Sequence, residues 1–237
     1  RGPRAACGAR PRAERLGPGE VPLLLRAQLL RALRAEPRRR LCVATVPDLG
    51  GRRAVHGAAG EGHSLLVLED GSAVAFGSNG DGQATVPDLG GRRAVHGAAG
   101  EGHSLLVLED GSVVAFGGNK DFHGNHVGQA TVPDLAGRRA VHCAAGGYHS
   151  LLVLEDGSAV AFGENDRGQA TVPDLAGRRA VHCAAGGYHS LLVLEDGSVV
   201  AFGSNKDWNG NHVGQAEVPS HLTGGEVPSQ LEGGGGR

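Results

Sequence analysis

Short apolar runs punctuated by glycine and acidic residues set the pattern of this chain. "RAVHGAA" (53–59) alternates apolar and polar positions, "HSLLVL" (63–68) is a compact apolar run, and "AVAFG" (73–77) follows the polar break "EDGS". Runs this short, bounded by Gly, Asp and Asn, predict strands rather than helices. We label them A, B and C. The Asp-Gly pair between B and C suits a tight hairpin in which glycine takes positive φ. After a loop of Asn, Gly and Asp, "GQATVP" (82–87) predicts a fourth strand, D. Pro87 removes a ladder donor, so D belongs at an outer edge or ends there.

The pattern recurs. "HSLLVLEDGS" starts at His63, His103, His149 and His189, and "VPDL" at Val46, Val86, Val132 and Val172, with "EVPS" from Glu217 closing the series. Four short antiparallel strands in a unit of about 40 residues predict a β-propeller blade. The fold class is therefore all-β, with four-stranded blades over units of about 43–82, 83–128, 129–168 and 169–219. Spacing alternates because the turn after strand C is longer in units two and four. "GGNKDFHGNHVGQ" (117–129) and "GSNKDWNGNHVGQ" (203–215) replace "GSNGDGQ" (77–83), thirteen residues against seven. Units three and four read as a block duplication of one and two. There are five D-type segments (43–47, 82–87, 128–133, 168–173, 214–219) but four A-B-C sets. The spare strand suggests an open arc or partial ring from a longer array; a compact four-blade ring is the alternative.

The repeated "AAGxxHSLLVLEDGSxVAFGxN…GQ" resembles the repeat of the regulator of chromosome condensation family, over about residues 43–219. It departs from that family in having Phe76, Phe116, Phe162 and Phe202 where Trp is common, and four units where the family closes seven blades. The resemblance implies protein partners. Members include an exchange factor for a small GTPase and propeller modules of HECT-type ubiquitin ligases. No segment here aligns with the exchange factor's wedge, and no ligase domain fits in the chain.

Outside the repeats, residues 1–40 hold eleven Arg against Glu14, Glu20 and Glu36, whereas the whole chain has a formal charge of −2. Within this leader, Leu25, Leu29 and Leu33 follow Pro22 at four-residue steps, predicting a short amphipathic helix at about 21–35. An Arg-rich leader also fits an organelle transit peptide, or contact with nucleic acid through that segment alone. Residues 220–237 read as a flexible Gly-rich tail. Met is absent and the chain starts at Arg1, which reads as a fragment. No run approaches the ~20 apolar residues of a membrane span. Cys143 and Cys183 replace Gly57 and Gly97 of the first two units, which predicts small, buried, reduced thiols and an intracellular setting, cytoplasm or nucleus.

An antiparallel blade places its AB and CD turns at one end and its BC and DA turns at the other. The BC/DA face carries Glu-Asp pairs (69/70, 109/110, 155/156, 195/196) and Arg pairs (52/53, 92/93, 138/139, 178/179). Mutual ion pairing accounts for them, with an anion-binding Arg ring as the alternative. The AB/CD face gathers Phe122, Tyr148, Tyr188 and Trp208 with Lys120, Asp121, His126, Lys206, Asp207 and His212. Exposed aromatics among polar groups are the usual anchors of a protein-binding surface. Two sets of histidines recur, at 56, 96, 142, 182 and at 63, 103, 149, 189. The second set predicts hydrogen bonds to a neighbouring turn; a His ring holding a divalent ion is the alternative. No phosphate loop, nucleophile elbow or paired acid/base constellation occurs, so neither enzyme activity nor a cofactor is expected. The sequence thus reads as a non-enzymatic interaction scaffold that binds a partner through its AB/CD face.

Overall fold

The computed structural model describes residues 46–207 and 209–223. The Arg-rich leader with its expected helix, Cys7, Cys42, Trp208 and residues 224–237 lie outside the described residues. Among the described residues, twelve strands form four antiparallel three-stranded sheets. They are β1 (Ala54–Ala59), β2 (His63–Leu68) and β3 (Ala73–Gly77); β4 (Ala94–Ala99), β5 (His103–Leu108) and β6 (Val113–Gly117); β7 (Ala140–Ala145), β8 (His149–Leu154) and β9 (Ala159–Gly163); and β10 (Ala180–Ala185), β11 (His189–Leu194) and β12 (Val199–Gly203). A 3₁₀ turn, Ser220–Leu222, follows.

Strands A, B and C thus stand where the apolar pattern predicted them, but strand D joins no ladder. Its polar groups are engaged elsewhere. Asn79 Oδ1 accepts from the Ala84 N–H at 2.9 Å, and Thr85 N–H donates to Gly82 at 3.0 Å, folding the segment into turns. Gln83, buried, gives its carbonyl to Ser104 of the next blade at 2.9 Å. These local and inter-blade partners replace a ladder, so each blade has three strands rather than four.

The Asp-Gly hairpins form as expected. Gly71, Gly111, Gly157 and Gly197 take φ of 79 to 81°. At Gly111 the left-handed backbone coincides with a close approach, because a Cβ there would lie 2.4 Å from Arg139 Cβ. That arginine belongs to the following blade. From the second pair onward the second Arg reaches back to the preceding BC turn: Arg93 donates to the Asp70 and Glu69 carbonyls at 2.7 and 2.8 Å, and Arg179 to those of Asp156 and Glu155 at 2.6 and 2.8 Å. Arg93, Arg139 and Arg179 also pair with Glu109, Glu155 and Glu195 at 3.6 Å. These guanidiniums staple blades together instead of forming an anion-binding ring. The exposed ion pairs themselves add little stability.

The two sides of each strand B serve two joints, the direct consequence of its period of two. Leu106 and Leu108 of β5 pack with Leu65 and Val67 of β2, while Leu105 and Val107 pack with Leu152 and Leu154 of β8. All four β5 side chains are at most 1% exposed. Cys143 lies in the second of these joints and Cys183 in the equivalent joint of the last two blades, each 2% exposed. Burial pushes the Cys143 thiol well above its ordinary value and that of Cys183 up to about 12. The thiolate is the reacting species, so both should resist iodoacetamide at pH 8 in the folded chain and react within minutes in urea. Mass spectrometry of the alkylated peptides checks this; rapid native labelling of either would contradict the packing.

The joints do not continue around to the first blade among the described residues. Ala54, Gly57 and Ala59 of β1 are exposed, whereas their counterparts Ala94, Gly97 and Ala99 in β4 are buried. At the other end Leu191 and Val193 of β11 are half-buried, while the equivalent Leu105 and Val107 are fully buried. The open-arc expectation fits these exposures.

Candidate functional site

The CD turns rest on a frame of Asn and Gln. In the short turns, Gln83 and Gln169 accept from the backbone N–H of Asp81 and Arg167, both at 2.9 Å. The six added residues of the second unit build a miniature hairpin on the same frame. Lys120 and His126 form its antiparallel bridge, Asp121 N–H donates to Asn125 at 2.9 Å, and Phe122 sits near the tip, 84% exposed. Asp121 accepts from the Asn125 side chain and backbone at 2.9 and 2.8 Å, and these bonds hold its carboxyl below the ordinary range. The hairpin also turns the glutamine around. Gln129, 1% exposed, now donates through Nε2 to the Lys120 carbonyl at 2.9 Å, leaving its Oε1 without a partner. Gln215 in the fourth blade does the same, donating to Lys206 at 2.8 Å with Oε1 unpartnered.

This hairpin borders a cleft of about 860 Å³ on the AB/CD face, where the first three blades meet. Gln129 lines it, together with Lys120, Asp121, Phe122, His126 and Tyr148. Three further carboxylates, Glu61, Asp81 and Glu101, line the same cleft. None of its four carboxylates joins an ion pair among the described residues. Tyr148 donates its hydroxyl to Glu101; burial and that carboxylate together raise the phenol well above its ordinary value. Nearby Glu164 is raised as well, by burial first and then by Asp166 and Asp121. The cleft is acidic with an aromatic rim.

Five of the ten expected partner-binding residues thus meet in one cleft: Lys120, Asp121, Phe122, His126 and Tyr148. Four others stay on the fourth blade outside it. Arg167 lies 4.6 Å from the Tyr188 ring centroid, Asp207 binds Asn211, His212 pairs with Glu217 at 3.2 Å, and Lys206 forms the bridge to His212. The tenth, Trp208, lies outside the described residues. Glu61, Asp81, Glu101 and Gln129 were missed. A signal for the glutamates was present: the AB turn reads "GEG" in the first two units and "GGY" in the last two.

The histidines do not converge on a metal. Rings of His56, His96, His142 and His182 stack in a row, with centroids 4.1, 4.0 and 3.8 Å apart. His96 and His142 each bond the next blade's Cys143 or Cys183 sulfur through Nδ1 at 3.3 Å, and His56 bonds the Gly97 carbonyl. No group of three or more potential ligands occurs among the described residues. The second set forms a relay between blades rather than a bond to a turn. His63, His103 and His149 meet Ser104, Ser150 and Ser190 at 2.7, 2.9 and 2.9 Å. Each serine donates onward to the carbonyl of Gln83, Gln129 or Gln169. The serine proton being spent there, each histidine must donate through Nε2–H.

Residues 54–83, 141–169 and 181–207 each match the regulator of chromosome condensation (RCC1) repeat. Three of the four units are thus similar to that repeat. The unmatched second unit has the same strands and the same register. No curated protein matches the chain. Among solved structures, the chain is similar to human WBSCR16 (21% identity, TM-score 0.56, 65% of this chain and 49% of that one). It is also similar to the ectodomain of the Physcomitrella patens receptor kinase CR4 (19%, 0.55, 68% and 43%) and to Prp20p from Saccharomyces cerevisiae (21%, 0.54, 63% and 44%). The chain therefore spans less than half the length of each, and at these identities the likeness is one of fold. No helix among the described residues is long and apolar enough to cross a membrane.

Proposed function

We propose that this chain is a non-enzymatic, intracellular protein-interaction module that takes a basic segment of a partner protein into the AB/CD cleft. The observation that carries this reading is the cleft's chemistry: four carboxylates outside any ion pair, facing one lysine, beside Phe122 at 84% exposure. An Arg or Lys side chain would satisfy both, through charge and hydrogen bonding to the carboxylates and stacking on the aromatic ring. The similar protein Prp20p has binding properties toward Gsp1p and histones, so protein partners fit this kind of fold.

Binding of fluorescein-labelled Arg/Lys-rich and Asp/Glu-rich peptides, read by anisotropy, tests the proposal. The basic peptide should bind and weaken steeply with salt. Phe122→Ala should weaken it about tenfold or more, as removal of an aromatic anchor does. Glu61→Gln with Glu101→Gln should weaken it comparably and flatten the salt dependence. Equal binding of the acidic peptide, or no effect from either variant, would overturn the assignment.

A further inference from the structure

The two ends of the arc are the two halves of a joint that this chain already makes three times. In each internal joint a histidine at the start of strand B donates to the serine of the next strand B, and that serine donates to a glutamine carbonyl. In each, a glycine of the AB turn lies against the next blade's backbone: a Cβ at Gly60, Gly100 or Gly146 would stand 2.3, 2.4 or 2.6 Å from the following glycine's carbonyl. The trailing face supplies alternate residues of strand B, such as Leu65 and Val67, and the leading face the other alternates, such as Leu106 and Leu108.

Among the described residues both halves stand open. The fourth blade presents Leu191, Val193 and exposed Ala184, with His189 partly exposed and engaged with no serine among the described residues. At Gly186, unlike its three counterparts, the three atoms nearest an added Cβ all belong to its own His189. The first blade presents exposed Ala54, Gly57 and Ala59, and Ser64, half-buried where Ser104, Ser150 and Ser190 are fully buried. A Cβ at Gly57 meets only Leu66 of its own blade at 3.4 Å, whereas at Gly97 it would also meet Leu65 of the preceding blade at 3.0 Å. Donor, acceptor and apolar surface at one end match those at the other, because both come from the same repeat.

We propose that the occupant of these faces is a second copy of this chain, joined head to tail, with the fourth blade of one copy packed on the first blade of the other. His189 of one copy then donates to Ser64 of the next, and Leu191 and Val193 enter its β1–β3 face. The joint is heterologous, so it either closes or runs on. Two copies hold eight blades, within the range in which propellers close. The AB/CD cleft takes no part, so this inference stands or falls separately from the peptide-binding reading.

Sedimentation velocity of the 237-residue chain at tens of micromolar tests it. The chain should sediment as a dimer or a longer head-to-tail species. Leu191→Glu spoils the trailing face and Gly57→Glu the leading face; each variant alone should be monomeric, with an unchanged circular dichroism spectrum. Mixed in equal amounts they retain one sound face each, and should recover a one-to-one dimer. This recovery separates a lost joint from a lost fold. A monomeric wild-type chain, assembly unaffected by either substitution, or two folded variants that fail to pair on mixing would each overturn the proposal.

Discussion

Acidification from pH 7 to pH 4.5 should strip this fold of much of its stability, well before its carboxylates titrate in bulk. His103 and His149 are fully buried and neutral, and burial lowers each from the usual 6.5 to about 4. In the unfolded chain the same groups accept a proton near pH 6.5. Below that value the unfolded state binds more protons than the folded one, so stability falls as pH falls, and the loss levels off near pH 4. Above pH 6.5 both states are neutral and the full stability is present. At about 1.4 kcal/mol per pH unit, each group removes on the order of 3 kcal/mol by pH 4. Two such groups together remove about 6 kcal/mol, a large part of an ordinary domain's stability of about 5–15 kcal/mol. The half-buried His96 and His142, lowered to about 3 and about 4 by burial and by their stacked neighbours, act in the same direction.

Geometry explains why these imidazoles resist the proton. Nε2–H is committed to a serine, so a second proton must go on Nδ1, which in His63, His103 and His149 has no acceptor. Gly100 and Gly146 crowd that atom, since a Cβ on either would lie 2.9 or 2.6 Å from it. Urea midpoints measured at pH 7.5, 6.0, 5.0 and 4.5 should fall progressively. His103→Gln, whose amide N–H can still reach Ser150, should lower the midpoint at pH 7.5 yet flatten its dependence on pH. A midpoint constant from pH 7.5 to 4.5 would show that these histidines are not held neutral by the fold.

The strands were legible because each draws on purely local signals: period-two apolar residues, an Asp-Gly pair, and glycine at fixed steps. Gly71 and its equivalents take positive φ, and Cys143 sits where a small residue is needed, for reasons visible in one repeat compared with another. What was not legible depends on the neighbouring blade. "GQATVP" has the composition of a strand, but its carbonyl at Gln83 faces Ser104 of the following unit instead of a ladder. The serine partners of the histidines are likewise set by blade stacking, which no local window reports. Within the cleft, Phe122 and Tyr148 stood out by residue type. Asp81 did not, because its place above Gly102 and Gly118 follows from how the first two blades meet. The orphaned acceptor on Gln129 follows from a hairpin that reverses an amide, which the letters Gly-Gln cannot reveal.

Gly100→Ala should destabilise the folded chain by ~3 kcal/mol, the upper part of the range for added bulk in a packed site. Gly186→Ala, the same substitution at the same repeat position, should cost far less. Neither glycine has a positive φ, so backbone freedom is not the issue. At Gly100 a methyl group would stand 2.4 Å from the Gly146 carbonyl oxygen and 2.6 Å from His103 Cε1. The carbonyl belongs to the next blade's backbone, fixed by its bond from the Glu101 N–H at 3.3 Å, and His103 is locked to Ser150. Neither can give way without opening the joint. At Gly186 the nearest atoms all belong to His189, which is partly exposed and can turn aside. Chemical denaturation of the two variants beside the wild type, under conditions that keep all three monomeric, separates the explanations. Equal losses would mean that the cost lies within the AB turn. A large loss at Gly100 alone locates it in the contact between blades, and the same contact predicts that Gly186→Ala, harmless to the isolated fold, should abolish head-to-tail pairing.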